Sequence, residues 1–195
     1  LEDLRRLAGI VNDMLFLSQA DRGAKARREA PVSLASLAHQ VVEFHEAAIE
    51  DKQLKVSVEG DAIVGVDEPL FKRAVSNLLG NATRFADEGS VVRIVLAQPS
   101  NAQHAQIEVQ NTGPSIDAAD MPRLFDRFFR ADVSRCCDDG VQHYGLGLAI
   151  IAAIARMHGG GPMARSEGGV TSVGFTVAAA DTPTDLTFCV MTCQG

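Results

Sequence analysis

An α/β fold, with a mixed, antiparallel-rich sheet lying under helices, is what this sequence predicts, on two observations. Apolar residues recur at intervals of three and four in four separate segments, and short runs between those segments alternate as half-buried strands do. Composition sets the scale. The chain has 195 residues, 46% of them apolar and 22% charged, which suits one globular domain with room for a short extra element.

In chain order, Leu4, Leu7, Val11, Met14, Leu15 and Leu17 form one stripe of a helix over residues 1–20 that needs a partner. Asp21 to Pro31 is polar, holds Gly23 and Pro31 and has no periodicity, so it reads as a linker. Ser33 is an N-cap for a second helix from Leu34 to about Glu50, with Leu37, Val41, Val42, Phe44 and Ile49 on its apolar side. Leu54–Glu59 and Ala62–Val66 read as two strands joined by a turn at Gly60-Asp61. Asp67 caps a third helix to about Phe85, with Glu68 and Pro69 in its first turn. Strands follow at Val91–Ala97 and Ala105–Val109. Residues 110–145 break the regularity, apart from a short amphipathic piece at Met121–Phe125, and a loop of that length is uncommon unless functional. Gly145–Met157 is helical, stopped by Gly159-Gly160-Gly161, and Val173–Ala178 is a last strand.

The net charge of -7, with a pI near 5.2, argues against a general nucleic-acid or anionic-membrane binder, so any phosphate site must be local. No apolar run is long enough to cross a bilayer, and the N-terminus lacks a signal-peptide pattern. The chain starts at Leu1 rather than Met and reads as a fragment. Four cysteines, Cys136, Cys137, Cys189 and Cys193, fit neither a spaced disulfide framework nor a zinc site and read as reduced thiols. A metal cluster of Cys136, Cys137 and His143 is the weaker reading, because adjacent thiols in a loop define no tetrahedral geometry.

Four pieces carry chemistry. Asn77, Asn81, Arg84 and Phe85 are spaced by four, three and one near the end of the third helix, so Asn77, Asn81 and Arg84 share a face. A carboxamide oxygen is a hard neutral donor suited to Mg²⁺, and two asparagines on a solvated helix face are the plainer alternative. The second piece is the turn Asn111-Thr112-Gly113-Pro114-Ser115, and the third the run Phe125-Asp126-Arg127-Phe128-Phe129-Arg130. The fourth, Gly145-Leu146-Gly147-Leu148, opens a helix whose free N–H groups and dipole favour phosphate.

With these four pieces in this order, residues 31–180 resemble the ATP-binding domain of sensor histidine kinases, within the GHKL ATPase superfamily and its two-layer Bergerat sandwich. The pieces resemble that family's N, G1, F and G2 boxes, and Glu167-Gly168-Gly169-Val170-Thr171 is similar to its closing glycine-threonine box. Helix 1, through Val11-Asn12-Asp13-Met14-Leu15, resembles the second helix of a dimerisation and phosphotransfer hairpin, with wording nearest the heavy-metal (copper or silver type) sensor kinases.

The resemblance implies a division into residues 1–21 as that partial hairpin, 22–31 as linker, 32–180 as ATP-binding catalytic domain with a lid at about 112–145, and 181–195 as a tail without assignment. It implies that Asn81 holds Mg²⁺ with Asn77 assisting, that Arg84 and Arg130 approach the phosphates of ATP, and that Phe85 lies against the adenine. Asn111 and Gly113 of the turn, the N–H groups of Gly145, Leu146, Gly147 and Leu148, and Thr171 complete the implied ATP site. Partners implied are the missing hairpin helix with its phosphoacceptor histidine, a response regulator receiver domain and, in the full-length protein, a second copy as homodimer; the location implied is the cytoplasmic part of an inner-membrane sensor kinase.

Asn77 bears on the reaction. Hydrolytic members of the superfamily place a glutamate there to activate water, and a carboxamide cannot accept that proton, so rapid hydrolysis is disfavoured and transfer to an imidazole favoured. The chain departs from the family at Asn111, where Asp is usual, and at Ser115 and His143, where Gly is usual. A residue with positive φ at Ser115 costs on the order of 1 kcal/mol. None of the five histidines, His39, His45, His104, His143 and His158, sits in the phosphoacceptor pattern. Two other readings therefore stand beside the kinase domain: an interaction or dimerisation module of the same fold with impaired nucleotide binding, and a GHKL-type ATPase or serine kinase, which residues 1–21 disfavour.

Overall fold

A computed structural model describes residues 2–99, 102–131 and 144–179. Its elements begin with α1 (Glu2–Asp21), β1 (Val32–Ser33), α2 (Leu34–Phe44), α3 (Glu46–Asp51), β2 (Lys55–Gly60), β3 (Ile63–Val64) and α4 (Glu68–Phe85). They continue with β4 (Val91–Ala97), β5 (His104–Thr112), a single 3₁₀ turn (Met121–Arg123), α5 (Gly147–Met157), β6 (Pro162–Glu167) and β7 (Val170–Ala178).

Five strands form one mixed sheet in the order β2-β4-β5-β7-β6. The β2 and β4 strands are parallel, and α4 supplies the crossover that a parallel pair requires; every other neighbour in this sheet is antiparallel. Alternation then decides which face is covered. Val92, Ile94 and Leu96 of β4, Ala105, Ile107 and Val109 of β5, and Val173, Phe175 and Val177 of β7 are buried under the helices, with α2 against β2 and β4, α4 against β5 and α5 against β7. Phe71 of α4 meets Phe175 edge to face, with ring centroids 6.0 Å apart.

Local chemistry sets the helix ends. The Ser36 N–H donates to Ser33 Oγ at 3.1 Å, and the Leu70 N–H to Asp67 Oδ1 at 3.2 Å, so both predicted N-caps are in place. The C-terminus of α5 is a Schellman turn. Gly159 takes φ +73°, its N–H reaches Arg156 O, and the Gly160 N–H reaches Ala155 O.

Helix α1 rests on α5 through buried Leu17 and half-buried Ile10 and Phe16, with Asp13 ion-paired to Arg73 of α4 at 2.5 Å. Leu4, Leu7, Val11, Met14 and Leu15 of the predicted stripe stay exposed. Residues 22–31 hold no helix or strand, yet they are laid onto the domain: the Ala26 N–H donates to Met157 O and the Glu29 N–H to Val66 O.

Several expectations are corrected. The second helix does not run to Glu50; it breaks at His45 (φ -96°, ψ 5°), whose Nε2 lies 2.7 Å from Ser76 Oγ. The break buries Ile49 and leaves Phe44, placed on the apolar stripe by periodicity, 85% exposed. The strands on either side of Gly60-Asp61 do not pair with each other: β2 joins β4, and β3 pairs with β1, a strand the periodicity did not reveal. Two residues of alternation cannot choose a partner, and burial of Val56 and Val58 on the main sheet does. The β6 strand was also hidden, being a polar edge strand, Pro-Met-Ala-Arg-Ser-Glu. The fourth helix starts at Gly147, since Gly145 at φ +68° is outside any right-handed helix. Strand β5 runs three residues further, to Thr112, and β7 starts three earlier, at Val170.

Candidate functional site

The last turns of α4 expose a polar edge because its opposite side, Phe71, Val75, Leu78 and Leu79, is in the core. On that edge the Asn77 Nδ2 donates to Arg73 O one turn back at 2.9 Å, which leaves its Oδ1 directed at α5. A Cβ on Gly147 would stand 3.1 Å from that Oδ1, so the absent side chain is what lets the start of α5 come this near. The carboxamide of half-buried Asn81 makes no hydrogen bond to a described residue. The Arg84 guanidinium lies over the Phe85 ring, 5.1 Å from its centroid, and the ring is 41% exposed. The Lys52 ammonium donates to Arg84 O at 2.6 Å and so caps the carbonyl end of α4.

Two strand ends abut this helix. Asn111, on β5, is 5% exposed and stands in register with Thr171 on β7. Its Nδ2 reaches only Thr112 O, at 3.5 Å. The Gly113 N–H donates to Gly169 O, and a Cβ on Gly113 would fall 2.2 Å from Phe85 O. That position takes glycine for steric reasons alone. Ser115, the expected second glycine, is not among the residues with positive φ, so the turn carries no strain there.

The third side is backbone. Helix α5 has Leu146 at its N-cap, which supplies no side-chain acceptor, so the first-turn N–H groups of Gly147, Leu148 and Ala149 are available to an anion. Just before it, the Phe128 N–H donates to Gly145 O at 2.9 Å, and a Cβ on Gly145 would lie 2.8 Å from Phe128 C. The segment that ends in Arg130 therefore sits directly on the glycine turn. Phe128 itself takes φ +62°.

The folded chain thus brings together Asn77 with Gly147, Phe85 with Gly113, Asn111 with Thr171, and Phe128 with Gly145, pairs separated by 17 to 70 residues of sequence. Residues 132–143, with Cys136, Cys137 and His143, and residues 180–195 lie outside the described residues. Among the described residues no three His, Cys, Asp or Glu side chains gather as a metal site. Sequence reasoning missed Lys52 and Ser166. Ser166 Oγ accepts the Ile116 N–H at 3.0 Å and lies 3.0 Å from Thr171 Oγ1. Gly168-Gly169, between Ser166-Glu167 and Val170-Thr171, is the two-residue hairpin signal that marks it.

Neutral carboxamides and an exposed ring on α4, with unpaired N–H groups at the start of α5, are groups that suit a ligand with phosphates at one end and a flat base at the other. Residues 66–181 match the family described as histidine kinase-, DNA gyrase B- and HSP90-like ATPase, more than half of the chain, and the chain belongs to that family. It is 39% identical over 162 residues to the sensor histidine kinase CusS of Escherichia coli K12, matching 82% of its own length and 33% of that of CusS. It is 36% identical over 160 residues to the sensor protein IrlS of Burkholderia pseudomallei, matching 82% of its own length and 34% of that of IrlS. The chain thus spans about a third of the length of these relatives. The resemblance to sensor histidine kinases is borne out at the level of these similarities. Among solved structures, the Acinetobacter baumannii histidine kinase AdeS superposes with a TM-score of 0.76 at 20% identity, over 93% of this chain and 82% of that one. Full-length ShkA in complex with AMPPNP gives 0.76 at 24%, over 92% and 37%. At these identities the likeness is one of fold. No helix among the described residues is long and apolar enough to cross a membrane.

Proposed function

We propose that this chain is the Mg-ATP-binding catalytic portion of a two-component sensor histidine kinase, and that it donates the γ-phosphoryl to a histidine outside residues 1–195. The observation that carries the reading is the apposition of Asn77 and Gly147, which sets a carboxamide edge against a helix N-terminus. That pairing offers the cation of a Mg-triphosphate a neutral oxygen ligand on one side and the phosphates N–H donors on the other.

In this reading Phe85, Asn111, Gly113 and Thr171 hold the base, the Asn111 Oδ1 accepting from the adenine amino group. The N–H groups of Gly145, Leu146, Gly147 and Leu148, with Arg84 and Arg130, bind the phosphates. The residues present fit Mg²⁺: the Asn81 carboxamide is uncommitted, Asn77 keeps its Oδ1 unused by its own helix, and both are hard neutral donors. Asn81 would hold the ion with Asn77 beside it, and the ion when bound would neutralise charge on phosphate oxygens. Asn77 cannot take a proton from water, so the chain's contribution is to hold the γ-phosphoryl in line for an incoming imidazole.

Residues 1–21 then serve as part of a dimerisation hairpin, 22–31 as linker and 32–180 as catalytic domain, with the lid at about 112–145. The partners are the remainder of that hairpin, a second copy and a response regulator receiver domain, and the setting is the cytoplasmic side of an inner membrane. Calorimetric titration of the folded chain with a non-hydrolysable ATP analogue tests the reading. Mg²⁺-dependent binding is expected. No binding with or without Mg²⁺ would overturn it in favour of an interaction module. Labelled phosphate appearing on an added hairpin peptide from the parent protein, and not on the chain alone, tests the transfer step.

A further inference from the structure

We infer that Ser166 is a positioning residue that couples occupancy of the base site at Thr171 to the first turn of the lid at Ile116. The inference rests on the nucleotide reading above.

Three strands set it up. Asn111, Thr171 and Ser166 lie in register across β5, β7 and β6, at the end of the sheet nearest Gly113 and Gly169. The β6–β7 hairpin closes through Gly168 and Gly169, at φ +60° and +77°, the two positive values a tight primed turn needs. That turn fixes Ser166 opposite Thr171 without a slip in register. Ser166 Oγ is 3.0 Å from Thr171 Oγ1 and accepts the Ile116 N–H at 3.0 Å, while the Gly113 N–H is tied to Gly169 O. Both ends of the segment 113–116 are therefore held by the hairpin.

Proton counting gives the coupling. Each hydroxyl has one proton and two lone pairs. With Thr171 free, the pair is satisfied in either direction. When Thr171 donates its proton to a nucleotide base, Ser166 must donate to Thr171, and a hydroxyl that donates becomes a better acceptor. The Ile116 N–H is that acceptor's partner. Filling the base site thus tightens the anchor of the lid, and a tightened anchor favours the occupied site by the same factor.

The experiment is titration with the same ATP analogue, together with amide hydrogen exchange, on the full chain and on Ser166→Ala and Ser166→Thr. Ser166→Ala is expected to weaken binding about three- to tenfold and to speed exchange at Ile116, in both cases relative to the unsubstituted chain. Exchange at Ile107, in the middle of β5, should not change, which a general loss of stability would not allow. Ser166→Thr should restore both. Ser166→Ala with unaltered affinity, or exchange at Ile116 in the unsubstituted chain that is the same with and without ligand, would overturn the role given to Ser166. Failure of the unsubstituted chain to bind would instead overturn the nucleotide reading on which it rests.

Discussion

The two sides of the site are made of different material. On α4 the groups proposed to meet the nucleotide are side chains, Asn77, Asn81, Arg84 and Phe85, carried by a helix whose other face is buried. On the facing side they are backbone N–H groups at the start of α5, reached because Gly113, Gly145 and Gly147 have no Cβ. A side-chain donor can be deleted without disturbing its helix. A backbone donor can be moved only by adding atoms beside it. The same two helices also meet at their far ends, where His158, at the end of α5, accepts the Asp67 N–H on Nε2 at 3.1 Å and holds Ile154 O through Nδ1 at 2.8 Å.

The largest expected effect is on the side-chain face. Asn81→Ala should lower Mg²⁺-dependent affinity for an ATP analogue by at least ~100-fold with an unchanged melting temperature; unchanged affinity would remove Asn81 from the metal site.

Next comes the far contact of the two helices. Burial holds the imidazole of His158 below its ordinary value, outweighing the hydrogen bond to Ile154 O; of the nearby charges Arg28 adds to the lowering and Asp67 opposes it. His45 is lowered by burial too. A histidine with a lowered folded-state pKa leaves the unfolded chain binding more protons. Its contribution is therefore complete above about pH 6.5 and is lost as the pH falls below that value. Chemical denaturation at a series of pH values should show stability falling on acidification by at most about 1.4 kcal/mol per pH unit per histidine. His158→Gln should flatten that slope, and an equally steep slope in the variant would refute the assignment.

The backbone face should respond more gently. In Gly147→Ala the new Cβ, 3.1 Å from Asn77 Oδ1, should weaken nucleotide binding about fivefold, while stability stays within ~1 kcal/mol because alanine suits a helix better than glycine. Loss of stability without loss of affinity would reverse the contrast between the two sides. The smallest effect expected is on hydrolysis: Asn77→Glu should raise the slow release of phosphate from ATP a few-fold, and a flat rate would count against the reason given for disfavouring an ATPase.

Most helices were legible in the sequence because each carries its own signals. Ser33 and Asp67 cap as read, and the glycine run after Met157 stops α5 in a Schellman turn. The site residues were legible as pieces for a similar reason, since asparagines at helical spacing and glycines before an apolar helix are local patterns. Less legible were β1 and β6, a two-residue strand and a polar edge strand without an apolar alternation. The stop at His45 was hidden as well, for it depends on a hydroxyl 31 residues away.

What the sequence determined by itself was therefore the set of elements with strong periodicity, their caps, and the kinds of group gathered at the proposed site. Tertiary structure decided which elements pair and which groups meet: β2 with β4 rather than β3, Asn77 with Gly147, Ser166 with Thr171 and Ile116. The physical reason is range. Capping, periodicity and turn preference act over a few residues, whereas strand partners and approaches of 3 Å between distant segments are fixed by burying one shared core, a property of the whole chain.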